Sequence, residues 1–127
     1  MKTSKLLIPL LLSVSILQSN AFAFGAIAVG DADPKANDAS TEQHFIASDH
    51  ASYDAAKEAA MRQCLEKKLY FCQVALTFDA CGAYAKSEKN SGNAWAATED
   101  EAKRLALASC GKDCKVVVAQ CERGKSI

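Results

Sequence analysis

Two histidines, an acidic loop and six cysteines are the residues of this 127-residue chain whose types could do chemistry. His44 and His50 are its only imidazoles. A Cys–His nucleophile pair needs a free thiolate, and every cysteine has a credible partner. A Ser–His–Asp arrangement lacks a Gly-x-Ser-x-Gly elbow or other recognisable context. Zinc held by both histidines and Asp49 is conceivable, but the two histidines end one extended run, roughly 20 Å apart. No catalytic or metal-binding residue, and no cofactor, is expected.

Asp31, Asp33 and Asp38 lie in a Gly- and Asn-containing loop that invites a calcium reading. An EF-hand loop needs oxygen ligands at set positions and a closing bidentate glutamate. Its fifth position counted from Asp31 is Lys35, which would repel the ion, so a solvated loop is expected. Glu99, Asp100 and Glu101 read as anions favoured at a helix N-terminus by the macrodipole. Nothing places a carboxylate pair across a cleft, as glycoside hydrolysis requires.

The cysteines depend on compartment. Lys2 and Lys5 precede an apolar run, Leu6 to Leu17, broken only by Pro9, Ser13 and Ser15. Ala21-Phe22-Ala23 offers small residues where a signal peptidase reads, so residues 1–23 are expected to be a signal peptide cleaved before Phe24. The run is short for a spanning helix of about 20 residues, and the alternative is an N-terminal core helix. No membrane insertion is expected after cleavage, and the product should be periplasmic or secreted. The remaining 104 residues carry 13 basic and 15 acidic side chains, since Lys2 and Lys5 leave with the signal. Such a near-neutral chain has no electrostatic footprint for nucleic acid or anionic lipid.

Six cysteines in a small exported domain read as three disulfides. Zinc at Cys110-x3-Cys114 would need two more ligands at matching spacing, and no histidine pair supplies them. Of the 15 possible pairings, a repeat in the chain favours one. The segment Ser52 to Cys64 returns as Thr98 to Cys110, and each copy runs into a cysteine that opens an apolar strand, Cys72 and Cys114. Local bridges Cys64–Cys72 and Cys110–Cys114 would lock each helix–strand turn and leave Cys81–Cys121. On the chain-entropy model the last, closing roughly 40 residues, is worth about 4 kcal/mol and the tightest about 2 kcal/mol.

The elements that must position these residues also come in pairs. Gly25-Ala26-Ile27-Ala28 and Gly82-Ala83-Tyr84-Ala85 read as opening strands. Turns follow over 30–43 and 87–92, then second strands over 44–48 and 93–97, with Phe45 and Trp95 expected as equivalent core aromatics. Thr98-x-x-Glu101 is a capping box and Ser52 a plainer N-cap. Ala56, Ala59, Ala60 and Cys64 share one helix face; Ala102, Leu105, Ala106 and Cys110 share another. Val116-Val117-Val118 reads as a buried closing strand. The expected fold is α+β: two ββαβ repeats (24–79 and 80–121) sharing one antiparallel sheet, with both helices packed against it, in a single domain over 24–127.

The Gly-Ala-x-Ala openings, the alanine-rich helices and Cys110-x3-Cys114-Lys-Val-Val-Val together resemble the bacterial family called domain of unknown function 4189. The resemblance covers Phe24 to Cys121 and is most specific over Ala102 to Val118, followed by Ala80 to Ala83. It implies a small exported protein and no particular reaction. Two departures fall in repeat one: a longer link between Cys64 and Cys72, and an extended acidic loop.

Lys67, Lys68, Tyr70 and Phe71, enclosed by the first bridge, are the preferred partner-contact residues, with Asp31, Asp33 and Asp38 next. Constrained aromatic and basic side chains suit interface anchors. The expected function is a non-enzymatic protein-binding module that inhibits or neutralises an exported toxin or hydrolase. A secreted effector or envelope-associated factor acting on another cell is the alternative, and a small hydrolase a third.

Overall fold

Residue alternation along two central strands organises the molecule, whose computed structural model describes residues 23–123. The expected signal peptide lies outside that range apart from Ala23. Repeat one contains β1 (Phe24–Asp31), a 3-10 turn (Ala39–Thr41), β2 (Glu42–His50), α1 (Tyr53–Glu66) and β3 (Tyr70–Phe78). Repeat two contains β4 (Cys81–Lys86), β5 (Ser91–Ala96), α2 (Glu99–Cys110) and β6 (Lys115–Cys121). The fold is α+β, with each repeat in the ββαβ order.

Successive strand side chains point to opposite faces. On β1, Ala26 and Ala28 join Ala56 and Ala60 of α1 in one buried cluster. Ile27 and Val29 point the other way and cluster with Phe78 and Tyr84. On β4, Cys81, Ala83 and Ala85 face Ala102, Ala106 and Cys110 of α2. Small side chains thus meet the helices and large ones fill the space between the sheets. Alanine lets a helix sit close to a sheet, although each methyl-sized group buried contributes only about 0.8 kcal/mol.

The single shared sheet expected from the repeat is instead two. Their strand orders are β2-β1-β3 and β5-β4-β6, antiparallel throughout. The reason is that both central strands are apolar on both faces. A helix covers one face of each sheet, and only the other sheet can cover the second. The layers therefore run α1, first sheet, second sheet, α2.

Phe78 sits at the join. A Cβ on either Gly25 or Gly82 would overlap its ring. The opening glycine of each repeat is thus a close-approach position, and one phenylalanine fills the room left by both.

Two local expectations change for the same geometric reason. Phe45 pairs with Ala28, whereas Trp95 pairs with Gly82. Paired residues share a face, so Phe45 lies on the helix side of its sheet and Trp95 on the opposite side of the other. They are not equivalents, and Trp95 is 60% exposed. Likewise β6 is an edge strand, and Val117 projects to solvent rather than into a core.

Helix starts follow side-chain chemistry. The Ser52 hydroxyl accepts from the Ala55 amide (3.0 Å) and the Thr98 hydroxyl from that of Glu101 (3.2 Å). The capping box at Thr98 is only half made in the side chains, because the Glu101 carboxylate bonds Arg104 (2.6 Å). Cys64 bonds Cys72, Cys110 bonds Cys114 and Cys81 bonds Cys121, the pairs read from the repeat. Cys81 and Cys121 are direct ladder partners on β4 and β6.

Candidate functional site

Connections from both repeats gather at one end of the two-sheet sandwich. Asp31, the last residue of β1, pairs with Tyr70 on β3 and with Glu42 on β2. The ladder therefore brings together two regions that are far apart in sequence: the Cys64–Cys72 loop and the acidic loop of the first hairpin.

The Cys64–Cys72 loop forms an apolar rim. Leu65, Tyr70 and Phe71 are exposed, Phe71 at 66%. Phe71 has φ 59°, a left-handed conformation that is uncommon for a bulky residue. The cause lies in the ladder. Val29 pairs with Gln73 but Asp31 with Tyr70, so Phe71 and Cys72 together oppose Gly30. This is a β-bulge whose first position is one that glycine usually takes. A Cβ on Gly30, opposite the bulge, would overlap the Cys64 sulfur and crowd that of Cys72 and Leu69, so only glycine leaves room for the bridge there. Lys67 caps α1 and Lys68 also has a positive φ, of 59°; both side chains are exposed.

The acidic loop is largely exposed and is braced by its own side chains. The Asp33 carboxylate accepts from the Lys35 amide (2.9 Å). Asp38 caps the 3-10 turn, accepting from the Ser40 amide (3.0 Å) and hydroxyl (2.6 Å), and these bonds hold its carboxyl below the usual range. Asp33 and Asp38 face solvent, whereas Asp31 Oδ1 is buried without a hydrogen-bond partner. Burial, with Glu42 beside it, pushes the Asp31 carboxyl up. The Ala39 amide donates to the Lys89 carbonyl (3.2 Å), which ties this loop to the second hairpin.

Between the hairpins lies a cleft of about 400 Å³ that sequence reasoning did not assemble. Its lining includes Glu42, His44, Tyr84, Lys86, Glu88 and Val117. The Tyr84 hydroxyl donates to the Glu42 carboxylate, and the His44 ring stacks on Tyr84 with centroids 5.2 Å apart. The Lys86 ammonium donates to the Glu42 carbonyl (2.7 Å). Burial, then the charge of Lys86, lowers the pKa of His44 and favours its neutral form. Tyr84 is raised by burial and by its bond to Glu42, so it stays protonated. The sequence offers His44 as a partner for His50 and Asp49 at a zinc, or for a serine or cysteine nucleophile; in the structure its ring stacks on Tyr84 instead, and no described cysteine is free. Tyr84 and Lys86 reach it from repeat two, and no local spacing in the sequence reports them.

At the opposite end, Glu122 is 1% exposed and buried by the close of β6. Its two carboxylate oxygens accept from the Asp49 amide at 3.1 and 2.8 Å. Asp49, at φ 61°, in turn accepts from the Arg123 amide (2.9 Å). Gln120 donates to the Ser48 hydroxyl (2.6 Å), so the last strand is latched to β2 over several residues. A single glutamate after the final cysteine carried no signal of this role.

Among the described residues, no group of three or more His, Cys, Asp or Glu side chains is placed to hold a metal ion, and no helix is long and apolar enough to cross a membrane. Neither a curated protein nor a solved structure matches the chain. A family model does match, over residues 24–121, nearly all of the two repeats just described. The chain belongs to the family described as Domain of unknown function (DUF4189).

Proposed function

We propose that this protein is an exported, disulfide-braced binding module that engages another protein through the rim formed by Leu65, Tyr70 and Phe71. The observation that carries the reading is Phe71. A large apolar side chain is held in solvent by a strained backbone, next to a disulfide-bonded residue. Such strain costs on the order of 1–3 kcal/mol and persists where the surroundings over-determine it, as at ligand clamps. Rigid aromatic anchors lose little entropy on binding, and aromatic residues dominate interface energetics. Exposed Lys67 and Lys68 lie within the same bridged loop, and Asp31 is the ladder partner of Tyr70, with exposed Asp33 and Asp38 following it in the chain, so charges of both signs are available to a partner. The partner class we propose is an exported toxin or hydrolase, which this module would inhibit or neutralise in the periplasm or outside the cell.

The test places a photo-reactive amino acid at Phe71, or at Leu107 on α2 as a control, in cells exporting the protein. One protein species cross-linked from the rim position alone is expected. Its affinity for the oxidised protein should then fall at least tenfold in a Tyr70→Ser, Phe71→Asn variant with intact disulfides. Equal cross-linking from both positions, or unchanged affinity, would reject the rim as the contact surface.

A further inference from the structure

We infer that the cleft between the two hairpins is a second binding site, for a small polyhydroxylated ligand of the sugar class, with amino sugars preferred to acidic ones. It is separate from the apolar rim and does not depend on it. The cleft is built by both repeats: Glu42 and His44 stand on β2, Tyr84 and Lys86 on β4, Glu88 in the second hairpin turn and Val117 on β6. Sites at the join of two structural units, with a few polar groups converging beside apolar surface, are where small ligands bind. At about 400 Å³ the volume falls within the range of about 300–1,000 Å³ for such clefts.

The free valences define the ligand. Lys86 spends one of its three N–H donors on the Glu42 carbonyl. Glu42 receives the Tyr84 hydroxyl and keeps further lone pairs for a ligand. Neutral His44 presents one donor and one acceptor. Glu88 is exposed at the edge and adds acceptors. The cleft thus presents both donors and acceptors, and a hydroxyl, which is both at once, is the group that satisfies them. Val117, half exposed on an edge strand, offers a flat apolar contact for the C–H face of a ring. A wholly apolar ligand would strip water from Lys86 and Glu42 without replacing it, which is unfavourable.

Charge selects within the class. Glu42 and Glu88 line the cleft against the single ammonium of Lys86, and Asp31 is the ladder partner of Glu42. An ammonium on the ligand is therefore attracted and a carboxylate repelled. The cleft is also preformed. The Ala39–Lys89, Lys86–Glu42 and Tyr84–Glu42 bonds cross between the repeats and hold its walls, so little ordering remains to oppose binding.

The experiment titrates the oxidised, exported protein, isotope-labelled for NMR, with a glucosamine disaccharide, glucose and glucuronic acid in turn. Saturable shifts confined to the His44 ring and the Val117 methyls are expected, with glucosamine disaccharide bound several-fold more tightly than glucuronic acid. Lys86→Met should weaken all binding about tenfold, the loss of one charge-assisted hydrogen bond. Glu88→Gln, at an exposed position, should leave the fold intact and reduce the preference for the amino sugar. Non-saturating shifts at millimolar sugar, shifts centred away from His44, or tighter binding of the acidic sugar would each overturn the assignment.

Discussion

The buried carboxylate of Glu122 holds the backbone amide of Asp49, 73 residues earlier in the chain, through both of its oxygens. This contact joins the end of repeat two to the end of β2 in repeat one. It also places an ionisable group where its charge is poorly solvated, and burial pushes its pKa up to about 7 from an ordinary 4.5.

Stability should therefore rise as the protein is acidified from pH 8 to pH 5. A carboxyl whose folded pKa is raised contributes fully below its unfolded value and loses that contribution as pH rises through the folded one. The window is about pH 4.5 to 7, and the swing is on the order of 2–3 kcal/mol. Asp49 and Arg123 are the charged groups facing Glu122 and act in opposite directions on it. His44 works against the trend, because its lowered pKa removes stability as pH falls below its ordinary 6.5. Guanidinium unfolding of the wild type and Glu122→Gln at pH 5 and pH 8 isolates the effect. The variant should lose the acid-side gain; an unchanged pH slope would show that Glu122 is not its source.

Phe71→Asn should increase stability. Asparagine tolerates left-handed backbone far better than phenylalanine does, and the ring it replaces is mostly in solvent. A gain of about 0.5–1 kcal/mol in chemical unfolding is expected. A loss of that size would mean the ring packs against the protein after all and is no anchor for a partner.

Gly82→Ala, overpacking against Phe78, and Gly25→Ala, overpacking against Phe78 and the Glu122 carboxylate, should each destabilise the fold by about 1–3 kcal/mol. Their effects should couple, since one ring opposes both positions. Combining either substitution with Phe78→Leu makes room and should recover part of the loss in thermal melts. Simple additivity would place the two clashes on different neighbours.

Removing Cys81–Cys121 by paired serine substitution should cost more than removing Cys110–Cys114. The two bridges span sequence separations of 40 and 4. On the chain-entropy model this corresponds to about 4 against about 2 kcal/mol. Unfolding midpoints of the two double variants compare them directly, and equal midpoints would contradict the ranking.

The repeat, the helices and the disulfide partners were legible because each is a local signal. Ala56, Ala60 and Cys64 recur at the same spacing as Ala102, Ala106 and Cys110, and helical periodicity reads such a face from a single segment. Each cysteine at a helix end is followed within a few residues by its partner, and the remaining two then pair by elimination. The apolar rim was legible for a similar reason, since a bridge encloses Lys67, Lys68, Tyr70 and Phe71. Phe71's left-handed conformation was not, because it follows from the register of β3 against β1.

What the tertiary structure alone decided is how the two repeats face each other. The sequence determined that β1 and β4 are apolar on both sides; it did not determine what covers the second side. Face-to-face packing of two sheets settled that, and with it the position of Phe78 between Gly25 and Gly82. The same packing set Trp95 in solvent and stacked His44 on Tyr84. It placed Lys86 on the Glu42 carbonyl, forming a cleft from residues of both repeats, and it buried Glu122 against Asp49. Contacts between residues as far apart as His44 and Tyr84, or Asp49 and Glu122, have no periodicity within either segment, so only the folded chain brings them into being.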